Sequence, residues 1–326
     1  MKGAGRARRY YHSLRRTFKR GAVILMYHRV TDLERDPYQL AASPAHFAQH
    51  LEHLRQTCTV LLLTDLIEAL RTKTVPPHAV AITFDDGYAD NYREAYPLLK
   101  AADLCATIFV ASGKIDSARE FWWDDLDRII CLPDRVPARL QLHVQDRTYE
   151  WPTTTTEQRE TARQAVHSVL HPQTIAVRER ALEHLCEWAG VDRDGRPNYR
   201  AVTTAELKTI AVDPLIDIGG HTVNHPSLAA LPREEQEAEI SQSRELLEAW
   251  IGRPIQTFAY PYGTRRDFTA VVAAEVQSQG FRAACTTVHG SVEPGDDLFA
   301  LRRCAVFNWD GAFFAQRLES FFIART

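Results

Sequence analysis

Short apolar runs rich in β-branched and aromatic side chains recur at 22–26 (AVILM), 59–63 (TVLLL), 79–84 (AVAITF), 105–111 (CATIFVA), 215–219 (LIDIG), 256–260 (QTFAY) and 281–287 (FRAACTT). Each has the length of a strand, and continuous rather than alternating apolar character is what a strand buried on both faces requires. Between them, apolar positions recur at three- and four-residue spacing over 44–57, 64–72, 89–102, 232–251 and 267–280. These read as helices: Thr64 is placed to cap the second, Pro232 stands near the first turn of the fourth, and Gly280 closes the last. Strands alternating with helices imply parallel pairing, in a doubly wound sheet or a closed barrel. Either architecture puts function beyond the C-terminal ends of the strands.

The alternation lapses between about 115 and 205. That stretch opens on EFWWDDLDRII, continues with a hairpin-like alternation at 140–151 and helical runs near 157–170 and 173–189, and leads through VDRDGRPNYR to a capping box, Thr203-x-x-Glu206. It reads as a mostly helical insertion that covers one side of the functional end. The expected organisation is a basic tail, 1–20, followed by one domain, 21–326.

Charge refines this picture. Eight of the 39 Lys and Arg residues lie in residues 1–20, with no acid among them, which leaves 31 basic against 42 acidic residues in the remainder, a net charge of −11. A body so acidic is not a nucleic-acid binder by bulk charge. The tail, if helical, sets Tyr10, Leu14 and Phe18 on one face among arginines, a pattern suited to peripheral contact with an anionic membrane surface; a solvated tail is the plainer reading. The apolar stretch behind it, AVILMY, is short for a secretory signal, so the expected location is cytoplasmic, at the inner face of the membrane. Six scattered cysteines without a Cys-x-x-Cys pair agree with a reducing compartment.

Two strand ends carry chemistry. AITFDDGYADN ends an apolar run on adjacent carboxylates, Asp85 and Asp86, and LIDIGGHTVNHPSL places His221 and His225 four residues apart after another run. Asp-Gly is ordinary turn chemistry, and His-x-x-x-His is a weak signal by itself. Position adds the weight, because in a parallel fold both segments meet at one end of the sheet. On a helical turn the two imidazoles face the same way and can share a metal. Two imidazoles and one carboxylate leave positions open on the ion, as catalytic sites require. Successive strand residues point oppositely, so one aspartate can ligate while the other stays free to take a proton from water attacking a carbonyl. Two histidines and a carboxylate also form the facial triad of non-haem iron oxygenases, but an α/β pattern with a spare carboxylate fits hydrolysis better.

TFDDGY, HTVNH and FAYPYG, in this order and each at a strand end, resemble the NodB-type polysaccharide deacetylases, the fourth family of carbohydrate esterases, over roughly residues 78–310. ILMYHRV at 24–30 is similar to the first strand of members that act on exopolysaccharides. The resemblance implies a distorted (β/α) barrel of about seven parallel strands and hydrolysis of N-acetyl groups on a glycan. It makes Asp85 the general base and Asp86, His221 and His225 ligands of a divalent metal, usually zinc. Tyr262 would give a backbone N–H to the oxyanion, with Pro261 and Tyr262 lining the groove. One of Trp122 and Trp123 is expected to pin the insertion to the barrel and the other to add a sugar-stacking face, with Trp122 taken as the groove residue.

Two departures matter. An arginine that orients the base in many members is replaced by Ala259, so the charge beside Asp85 must come from elsewhere, with Arg302 or Arg303 as candidates and Arg303 preferred. The motif histidine that protonates the leaving amine is absent from LRRCAVFNWD, which leaves His28 or His289, His28 preferred. These gaps keep a second reading in play, a catalytically impaired barrel that only binds glycans. The expected substrate is a polysaccharide or lipid-linked glycan met during exopolysaccharide assembly.

Overall fold

The protein is described by a computed structural model covering residues 21–323. Seven parallel strands, numbered here in chain order, form a closed barrel: β1 (Ala22–Tyr27), β2 (Ala79–Phe84), β3 (Ala106–Val110), β4 (Ile216–Gly220), β5 (Thr257–Ala259), β6 (Ala283–His289) and β7 (Leu301–Ala305). Each pairs with the next, and β7 returns to β1 through Leu25 opposite Cys304. β1 and β2 pair along their full length, from Ala22–Ala79 to Tyr27–Phe84.

The continuous apolar runs follow from burial on both faces. Ala79 and Ala81 of β2 share an inner cluster with Ile24, Phe109, Ala259, Cys285 and Leu301, while Val80, Ile82 and Phe84 pack in the outer cluster with the surrounding helices. Small side chains inside suit a barrel of only seven strands. The inner cluster also holds Leu63, Leu66, Ile67 and Leu70 from the helix Leu63–Thr72.

Several expectations need correction. Of TVLLL only Thr59–Val60 pairs, as a short strand against the start of β2. The helical period begins within that apolar run, so the helix starts at Leu63 and its N-cap is Leu62, with Thr64 inside. The last strand, LRRCA, and the helix after it, Gly311–Ile323, had no place in the predicted element order. His221 and His225 lie on an irregular loop rather than a helical turn; Thr222 and His225 have φ of 63° and 53°, which no right-handed helix allows.

The region between β3 and the helix Thr204–Ala211 contains the expected hairpin, Arg139–Val144 with Arg147–Pro152, and helices Thr156–Leu170 and Ile175–Ala189. These gather a hydrophobic cluster of their own around Phe121, Trp122, Trp123, Leu126, Leu140 and Leu185. Both bonds of the Thr203–Glu206 capping box are present. The basic tail lies outside the described residues. Among the described residues no helix is long and apolar enough to cross a membrane.

Candidate active site

The segment after β2 makes a tight turn that separates its two aspartates. The backbone N–H of Asp85 donates to Tyr27 O at 3.0 Å, and that of Gly87 donates to Asp85 O at 2.9 Å. Asp86 and Gly87 are both left-handed, with φ of 73° and 78°. Glycine is needed at 87 for space as well as conformation, because a Cβ there would come within 3.0 Å of the Val110 side chain. The turn sends the two carboxylates to different partners.

Asp85 meets Arg303. The guanidinium sets Nη1 2.6 Å from Oδ1 and Nη2 2.6 Å from Oδ2, while Nε donates to Thr286 O at 2.8 Å. Arg303 is wholly buried and Asp85 is 2% exposed. Burial pushes the Asp85 carboxyl up, but the charge and hydrogen bonds of Arg303 outweigh it and hold the group below the usual carboxylate range. Arg302 turns elsewhere, to Asp296 at 2.7 Å.

Asp86 meets the histidines. Its Oδ1 lies 3.4 Å from His221 Nε2 and 3.3 Å from His225 Nε2, and the three donor atoms form one buried cluster. His221 Nδ1 donates to Ala259 O at 2.7 Å, which aims the Nε2 lone pair at Asp86. Burial pushes His225 down to about 4, against the opposing pull of Asp86, so its ring is neutral at pH 7. Burial pushes Asp86 up as well, but contact with the two imidazoles overrides this and keeps it ionised. Two imidazoles and an anion, buried together, present the donor set of a divalent cation. Two ligands at ~2.0–2.2 Å from one tetrahedral ion stand roughly 3.3–3.6 Å apart, and the observed spacings match. The histidine loop is clamped by Glu239, whose carboxylate accepts from Val223 N, Asn224 N and Asn224 Nδ2 at 2.9, 2.8 and 2.7 Å.

Beyond β5, Tyr262 has φ of 58°. Its carbonyl accepts from Thr287 Oγ1 at 2.6 Å, and among the described residues its backbone N–H has no hydrogen-bond partner. Burial pushes its phenol up to about 12. His225 and Tyr262 stand edge to face at 4.7 Å between ring centroids. Asp86, Thr222, His225 and Tyr262 are thus four non-glycine residues in left-handed conformation around one cluster, a concentration of strain of the kind that collects at functional sites.

His28, half-buried at the end of β1, lies within electrostatic reach of Asp85 and Asp86. His289 does not join the cluster: it is exposed, and its ring packs on Phe321. The expected groove residues also need correction. Pro261 is buried and Trp122 is 2% exposed, which leaves Tyr262 the member of the three with partly exposed surface. Trp122 faces inward because its indole N–H donates to the Tyr262 hydroxyl at 2.9 Å and its ring stacks on His167 at 4.8 Å. Trp123 is likewise buried. The residues that sequence reasoning missed are Glu239, Trp123 in its contact with His225, and Arg178, which donates to Asn224 O at 3.0 Å. A lone acid on an amphipathic helix gives no signal of such a role.

Comparison with known proteins agrees with this geometry. A family profile described as polysaccharide deacetylase matches residues 72–284. A Bacillus subtilis protein, YxkH, named provisionally as a polysaccharide deacetylase, is 22% identical over 300 residues, covering 91% of this chain and 76% of its own. The structure of Streptococcus pyogenes deacetylase PplD in complex with acetate superposes with a TM-score of 0.61 at 18% identity, over 91% of this chain and 98% of that one. IcaB from Ammonifex degensii gives 0.61 at 20% identity, over 93% and 97%. With the profile spanning well over half its length and a barrel of the same fold beneath it, the chain belongs to the polysaccharide deacetylase family, hydrolases that act on carbon–nitrogen bonds other than peptide bonds.

Proposed function

We propose that the protein is a metal-dependent N-deacetylase of a polysaccharide or lipid-linked glycan, with Asp86, His221 and His225 holding a divalent cation, most simply zinc. The observation that carries this reading is the ionised Asp85, locked on Arg303, beside a separate carboxylate–imidazole triad. A cation bound by that triad would polarise the amide carbonyl and acidify a nearby water. Asp85 takes the proton as water attacks the carbonyl carbon, and Arg303 keeps it ionised for that step. The Tyr262 N–H, which has no hydrogen-bond partner among the described residues, would donate to the developing negative oxygen. His28 gives a proton to the departing sugar amine, and acetate leaves. The bidentate contact of Arg303 answers the loss of arginine at 259, the strongest sequence argument for an impaired barrel.

The PplD structure, a deacetylase in complex with acetate, supports an acetyl group as the target. The basic segment 1–20 supports placement at an anionic membrane surface on the cytoplasmic side. The test is acetate release from an N-acetylated oligosaccharide: the wild type should release acetate, Asp85→Asn should not, and equal release by both overturns the assignment.

A further inference from the structure

The two histidines of the triad are held by different means. His221 is fixed by a hydrogen bond from Nδ1 to Ala259 O. His225 lacks its counterpart: Nδ1 is buried, and among the described residues it has no hydrogen-bond partner. A metal-binding imidazole is normally oriented by an acceptor on its second nitrogen, so something else must orient this one. Its ring sits among other rings. Trp123 lies 4.6 Å away between centroids at an interplanar angle of 57°, Tyr262 at 4.7 Å and 78°, and Phe121 at 6.4 Å.

These rings are themselves fixed. Trp123 Nε1 donates to Tyr88 Oη at 2.9 Å, and Tyr88 Oη donates to Asp124 Oδ2 at 2.7 Å, so the indole is tied to the turn that carries Asp86. Phe121 stacks on Trp123 at 4.8 Å. Trp122 Nε1 holds the Tyr262 hydroxyl, and the Arg178 guanidinium lies 5.1 Å from the Trp122 ring while donating to Asn224 O. Phe121, Trp122, Trp123 and Arg178 all belong to the segment that breaks the strand–helix alternation.

We propose that Trp123 is a positioning residue for the metal site, its ring orienting His225 in place of the missing hydrogen bond, so that the helical insertion completes the metal-binding wall of the barrel. This rests on reading Asp86, His221 and His225 as the metal triad. A tryptophan has a large, rigid face and an N–H anchor, so it can hold an imidazole by packing alone. A smaller side chain leaves His225 free to turn, and the ordering cost is then met on binding.

The test is zinc affinity of the full chain, measured by competition with a chromogenic chelator, with folding followed by thermal melting. Trp123→Leu should weaken zinc binding about tenfold, the scale expected when an orienting partner of a ligand is lost, and Trp123→Phe, which restores an aromatic face, should recover most of it. Tyr88→Phe preserves the core volume and frees the indole N–H; a loss of about threefold is expected, and this variant decides the matter if Trp123→Leu does not fold. Wild-type affinity in the folded variants, with binding abolished in Asp86→Asn, overturns the role of Trp123 alone. Zinc binding that is absent from the wild type, or unchanged in Asp86→Asn, overturns the triad and the inference together. Because the readout is binding, a failure to release acetate leaves this result standing.

Discussion

Each terminal nitrogen of Arg303 lies 2.6 Å from one oxygen of Asp85, across 218 residues of chain. Both groups are buried, so removing either leaves the other as an uncompensated charge, at a cost of about 3–5 kcal/mol.

Arg303→Ala is expected to lower kcat by on the order of 100-fold, the usual share of a positioned base, with bound metal unchanged. Burial then acts on Asp85 against only the weaker pull of His221 and His28, so its carboxyl titrates higher and the acidic limb of the kcat/KM profile moves to higher pH. Arg303→Lys keeps the charge but not the fork and should fall between. Acetate release from pH 5 to 9, with metal analysis, checks all three; wild-type turnover in Arg303→Ala would refute the pairing as functional.

His28→Ala should lower kcat and slow substrates with poor leaving amines most, since its proposed task is protonation of nitrogen; acetate release across a series of leaving amines reads this. An unchanged dependence of rate on the leaving amine would move that task to another group.

Glu239→Gln should weaken metal binding about tenfold while His221 and His225 remain. One of the three donors on the loop would then face an amide N–H instead of a carboxylate oxygen. Isothermal titration with zinc reads this directly, and an unchanged Kd would show that the loop holds its shape without the clamp.

His50 gives a pH dependence of stability. It is buried, lies 3.2 Å from the Tyr27 hydroxyl and 2.7 Å from Trp309 O, and stacks on Phe314 at 4.1 Å. Burial, against the pull of the Trp309 carbonyl, lowers it to about 4. The fold therefore favours the neutral ring: this contribution is fully present above the unfolded value near 6.5 and is lost as pH falls from there to about 4. At ~1.4 kcal/mol per pKa unit it is worth at most about 3 kcal/mol. Melting curves at pH 7 and 4.5 should show a smaller acid loss in His50→Gln than in the wild type.

The barrel strands and their chemical ends were legible because burial on both faces leaves unbroken apolar runs: AVAITF and LIDIG announce both the strand and the site at its end. LRRCA was not legible as a strand, since Arg303 occupies an interior position that only Asp85 makes tolerable, and that pairing is invisible to local pattern. The histidine loop was misread as helical because spacing cannot reveal a positive φ. Trp122 and Trp123 were recognisable as functional candidates, yet their direction depended on partners at 88, 225 and 262, which only the folded chain brings together.

The order of the strands around the barrel has an evolutionary corollary. β7 follows β6 in sequence but lies beside β1, which itself neighbours β2, so a side chain from the last strand can reach the interior end of the second. An arginine lost from position 259 could be replaced from the opposite end of the gene without moving the base. The family profile ends at residue 284, ahead of Arg303. The partner of the proposed base therefore lies outside the very stretch by which the family is recognised.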